Sequence, residues 1–81
     1  MPQVAAANDR AAAFHDRAAI AHGKSARLFD LNGQPERADR ERVLAKMARG
    51  MAAAERERAR LRREWNASRS GESAGELGEH G

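Results

Sequence analysis

An 81-residue chain with 41% hydrophobic residues, 4% aromatic residues and no cysteine forms one domain at most, with a thin core and no disulfide framework. Its formal net charge is +3, and the basic excess falls between residues 32 and 65, which hold 10 Lys and Arg against 6 Asp and Glu. No apolar run reaches the length of a membrane span, which sets that class aside and leaves proteins and nucleic acid as partners to weigh.

Met1-Pro2-Gln3-Val4 carries no basic segment leading into an apolar run, so no secretory signal and a cytoplasmic location are the expectation. The absence of cysteine fits a reducing compartment.

A first helix is predicted over residues 3–31. Its sequence repeats in sevens: Asn8-Asp9-Arg10-Ala11-Ala12-Ala13-Phe14 is followed by His15-Asp16-Arg17-Ala18-Ala19-Ile20-Ala21 and by His22-Gly23-Lys24-Ser25-Ala26-Arg27-Leu28. Val4, Ala7, Ala11, Phe14, Ala18, Ala21, Ser25 and Leu28 alternate at spacings of three and four, which predicts the seam of a left-handed helical pair. A second row of Ala12, His15, Ala19, His22, Ala26 and Phe29 runs beside it, so the apolar face is wide enough for two neighbours. Small residues dominate both rows, and close helix axes are expected, toward the short end of roughly 8–10 Å. Gly23 sits in mid-helix at a cost of about 1 kcal/mol against Ala, which marks either a close crossing or a tolerated site.

The turn is predicted at residues 32–34. Gly33 takes a left-handed conformation at little steric cost, and Asn32 tolerates the same region, so the first helix ends near Leu31. Pro35 has no N–H to lose in a first turn and a φ already suited to a helix. A connection this short makes the two helices antiparallel neighbours.

The second helix is predicted over residues 35–65. Glu36, Asp39 and Glu41 stand near its N-terminus and Arg60, Arg62 and Arg63 near its expected end, each sign where the helix dipole favours it. Leu44, Met47, Met51, Ala54, Arg58, Leu61 and Trp65 continue the alternating spacing, flanked by Ala45, Ala48, Ala52 and Ala59. Trp65 closes the row as either an anchor in a partner's pocket or a cover over the first turn of the first helix. The mixed run from Glu55 to Glu64 is a solvated face with pairs such as Glu55 with Arg58 and Glu57 with Arg60. As a phosphate-binding surface, its candidates are Arg56, Arg60 and Arg63 along one side.

Gly71, Gly75, Gly78 and Gly81, among Ser and Glu, predict a flexible, mildly acidic tail over residues 66–81. The expected fold is therefore all-α: an antiparallel two-helix hairpin over residues 1–65. A chain this small, without cysteine or a metal set, is completed to a four-helix bundle by dimerisation or by another helical protein.

The segment from His22 to Gly50 resembles a single tetratricopeptide-type helical hairpin. Ala26 stands at the small-residue position, Phe29 at the aromatic position, Gly33 at the turn, and Ala38 and Ala45 at the alanine positions of the second helix. His22, Ser25, Arg42 and Gly50 depart from the family's Trp, Leu, second aromatic residue and closing Pro. The resemblance implies helix-turn-helix geometry and protein binding. Overall the chain is similar to short Ala/Arg-rich helical proteins of high-GC bacteria, a likeness that implies no function.

Catalysis is not expected. The chain has no Cys or Tyr, its serines are Ser25 and three in the tail, and two thin helices form no cleft for a small-molecule substrate or a cofactor. Three functional readings stand. The first is protein association with a second copy or another helical protein, through Phe14, Leu28, Phe29, Leu44, Met47, Met51, Leu61 and Trp65. The second is a nucleic-acid- or ribosome-associated role for the Arg-rich helix. The third is a metal-handling bundle. It would use His15 and His22, which share a face, with Met47 and Met51; folding about Gly33 sets residue i opposite about 66 − i, which brings His15 near Met51 and Ala19 near Met47. Two rings about 10 Å apart cannot share an ion within one chain, so no metal is expected in the hairpin alone.

Overall fold

The computed structural model describes the backbone of residues 2–80 and the side chains of residues 4–70. Two helices make up the fold: α1, Pro2–Leu31, and α2, Pro35–His80. They pack along each other as an antiparallel hairpin in a molecule with extents of 73 × 15 × 11 Å. The helices form where the sequence supplies long runs of Ala, Arg, Glu, Leu and Met, the strongest helix formers.

The turn is built by the chemistry its residues carry. Gly33 adopts φ 70°, its N–H donates to the Asp30 carbonyl at 3.1 Å, and the Gln34 N–H donates to the Phe29 carbonyl at 2.8 Å. This pair of bonds is a Schellman closure and satisfies carbonyls that the end of α1 leaves open. The Gln34 carbonyl then accepts from the Ala38 N–H at 3.1 Å, which makes Gln34 the cap residue and Pro35 the first residue of α2.

One boundary differs from expectation. α2 passes through Trp65 and Asn66 without a break and extends to His80, so Arg60, Arg62 and Arg63 stand in mid-helix, where the terminal dipole does not reach them. The helix-compatible run Ala67-Ser68-Arg69-Ser70 carries no breaker. Of the tail expected to be flexible over residues 66–81, residues 66–80 belong to α2, and the side chains of residues 71–81 lie outside the described ones.

The seam of the hairpin also differs. Among the described residues only alanines are buried: Ala5, Ala12, Ala19 and Ala26 on α1, and Ala38, Ala45, Ala48, Ala52 and Ala59 on α2. Apart from Ala48, each set recurs every seven residues. The row anticipated as secondary is therefore the one that closes the hairpin, and the row of large residues is left outside. The physical reason is size. A methyl group facing a methyl group lets the axes approach closely, and at that separation Phe14 or Leu44 has no room between the helices.

Rows of polar side chains run on both sides of the alanine seam. On one side Asp9 pairs with Arg63, Asp16 with Arg56 and Asp30 with Arg42. On the other, Asn8 Nδ2 donates to Glu55 Oε2 at 2.6 Å, and His22 Nδ1 donates to Glu41 Oε2 at 2.6 Å. The two rows bracket the register: the polar bridges pair residue i of α1 with 63 − i of α2 and the Asp–Arg pairs with 72 − i, on either side of the 66 − i expected from folding about Gly33.

Candidate functional site

The row structure places the candidate interface residues on the surface. Phe14 is 62% exposed, Met47 53% and Met51 45%; Leu28, Leu44, Leu61 and Trp65 are also exposed, and Phe29 is half-buried. Heptad spacing explains why they cluster. In α1, Val4, Ala11, Ala18 and Ser25 precede the buried alanines by one residue, with Ala7, Phe14, Ala21 and Leu28 adjoining them. In α2, Leu44, Met51, Arg58 and Trp65 hold the corresponding place before Ala45, Ala52, Ala59 and Asn66, with Met47, Ala54 and Leu61 alongside. In antiparallel helices these rows come to the same side of the hairpin. A groove of about 380 Å³ at the open end, lined by Val4, Asn8, Arg58, Leu61, Arg62 and Trp65, joins the two sets directly.

The middle of that face is polar. Asn8 with Glu55 and His22 with Glu41 bridge the helices there, and His15 lies between them with its ring edge-to-face on Phe14 at 5.7 Å. At the turn end the Arg37 guanidinium lies over the Phe29 ring at 5.9 Å, and at the open end Arg69 lies over Trp65 at 5.7 Å. Trp65 lines the groove together with Val4 of the first turn of α1 and is 61% exposed.

The candidate nucleic-acid residues are already engaged. Arg56 holds Asp16, Arg63 holds Asp9, and Arg60 holds Glu57 and Glu64. The Arg63 hydrogen bond keeps the Asp9 carboxyl below its ordinary range, and the Arg56 hydrogen bond does the same for Asp16. Arg58 bonds Glu55 at 2.8 Å, and Arg60 Nε bonds Glu57 at 3.0 Å. A phosphate arriving at Arg56, Arg60 or Arg63 has to displace a carboxylate at each of them.

The metal candidates His15 and His22 are not brought together. His22 is bonded to Glu41, His15 packs on Phe14, and no group of three or more His, Cys, Asp or Glu gathers among the described residues. Gly23 meets no close crossing either, because the place a Cβ would occupy has nothing within 4 Å. No helix is long and apolar enough to cross a membrane among the described residues.

What the sequence reading missed is the cross-helix ladder. Its signal is present: Asp9, Asp16 and Asp30 each follow a buried alanine of α1 by four residues, and Arg42, Arg49, Arg56 and Arg63 each follow a buried alanine of α2 by four. An acidic column and a basic column with the same phase must face each other once the helices are antiparallel. Compared with known proteins, the chain matches no family model, no curated protein and no solved structure.

Proposed function

We propose that this chain is a non-catalytic interaction module whose outer apolar face pairs with the same face of a second copy, completing a four-helix bundle. One observation carries this reading: the hairpin closes on alanines and leaves Phe14, Leu28, Leu44, Met47, Met51, Leu61 and Trp65 exposed on one side. Monomeric proteins seldom expose aligned apolar rows of this kind without a partner for them. A second copy is the natural occupant because large side chains at spacings of three and four on both helices interdigitate with an equivalent pair. The half-buried Asn8–Glu55 and His22–Glu41 bridges then lie within the interface, where polar pairs penalise misaligned registers.

The nucleic-acid reading ranks behind this one because Arg56, Arg60 and Arg63 are each committed to carboxylates. No observation favours the metal reading. The test is the mass of the purified protein by light scattering, with nucleic acid removed, at low and at high salt. A dimer in both conditions, converted to a monomer by Met47→Glu, is the expected result. A wild-type protein that stays monomeric across the accessible concentration range removes self-pairing and assigns the face to a different protein.

A further inference from the structure

The ladder on the opposite side of the hairpin is broken at one step. Asp9 faces Arg63, Asp16 faces Arg56 and Asp30 faces Arg42. The remaining acidic position, seven residues after Asp16, is Gly23, and the basic column continues unbroken through Arg49. Arg49 and Arg27 form no ion pair among the described residues, while Arg42 is shared between Asp30 and Asp39. Gly23, Ala26, Arg27, Arg42, Ala45 and Arg49 line a notch of about 340 Å³, and nothing stands within 4 Å of where a Gly23 Cβ would be.

We infer that this notch is a binding site for a small oxyanion, a phosphate or carboxylate group that takes the place of the missing aspartate. The three intact steps show the chemistry the basic column accepts, a carboxylate on a guanidinium. At the fourth step the guanidinium remains and the carboxylate does not. Arg27 and Arg49 approach from different helices, so an oxyanion between them receives charge-assisted hydrogen bonds from both, with buried Ala26 and Ala45 as an apolar floor. The notch holds more than a single water-sized group, whose share of liquid volume is about 30 Å³, which fits an anion with several oxygens. The site lies away from the apolar face, so it stays open whether or not the chain self-pairs, and its test is independent of the dimer.

The experiment follows the arginine side-chain NMR signals of the full-length protein during titration with pyrophosphate, inorganic phosphate, citrate and succinate, each against sodium chloride at matched ionic strength. The expected result is saturable shifts at Arg27 and Arg49, with the tighter of the phosphate or carboxylate series identifying the source of the oxyanion. Gly23→Asp supplies the carboxylate from within and Arg49→Gln removes a donor, and each is expected to weaken binding by about tenfold or more, the loss of a charged hydrogen bond. Gly23→Ala adds a methyl group to open space without charge and is expected to bind as the wild type does. Shifts that follow ionic strength alone, or a Gly23→Asp protein that binds as tightly as wild type, overturn the proposal.

Discussion

Ala52 carries no exposed surface at all, and its methyl group is the largest side chain the seam admits at that point. Extending it to leucine adds three heavy atoms where two backbones have approached as far as alanine allows, and the helices have to part or tilt. Overpacking of this kind costs about 1–3 kcal/mol. The neighbouring Ala53 is exposed, and leucine there projects into solvent, with an effect of within about 0.5 kcal/mol. Thermal melts followed by helical circular dichroism separate the two: Ala52→Leu is expected to melt several degrees lower and Ala53→Leu to overlay the wild type. Equal melting temperatures mean that the seam is looser than methyl-to-methyl packing.

At the scale of the helices, the Asp–Arg ladder ties α1 to α2 over most of the length of α1. Hydrogen bonds from Arg63 and Arg56 hold Asp9 and Asp16 below their ordinary value of 3.8, so these aspartates release protons more readily in the folded hairpin than in the unfolded chain. Their stabilisation is fully present above the unfolded value and is lost as pH falls through the depressed folded values. Below about pH 4 the hairpin is expected to weaken, and in Asp16→Asn part of that acid dependence disappears. Because the pairs are solvent-exposed, the effect is modest and shrinks in high salt; urea melts across pH at two salt concentrations measure it. A flat acid limb at low salt shows that the ladder contributes nothing to stability. The same elements show how much was legible in advance. Gly33, Gln34 and Pro35 encode the turn through local backbone geometry, so its place and the bounds of α1 were readable. The seam was not, because rows of small and large residues both follow the heptad, and periodicity assigns the larger side chains to the core. Only the matched phase of the aspartate and arginine columns distinguishes them, and that signal depends on two helices read together. The end of α2 differs for another reason: Gly71, Gly75 and Gly78 among Ser and Glu signal a helix end by propensity, whereas the backbone of α2 continues through them to His80.

For the molecule as a whole, two contact surfaces of different character divide the work. Among the described residues the inner one consists of nine buried alanines, each removing little more than a methyl group from water, at roughly 0.8 kcal/mol per buried carbon. The outer one holds the side chains with the larger apolar surface, and in an isolated hairpin these remain in water. A hairpin of this composition therefore gains most of its apolar burial only when a second surface covers the outer face. Where a second copy covers that face, as proposed, folding and association are one process, and mass action makes stability depend on protein concentration. The melting temperature is expected to rise by several degrees over a hundredfold increase in concentration, and Met47→Glu is expected to lower it and abolish the dependence together. If melting is independent of concentration while the protein is a well-ordered monomer, the alanine seam and the ladder suffice to hold the hairpin. The exposed face is then free to engage a different helical protein without first dismantling a dimer.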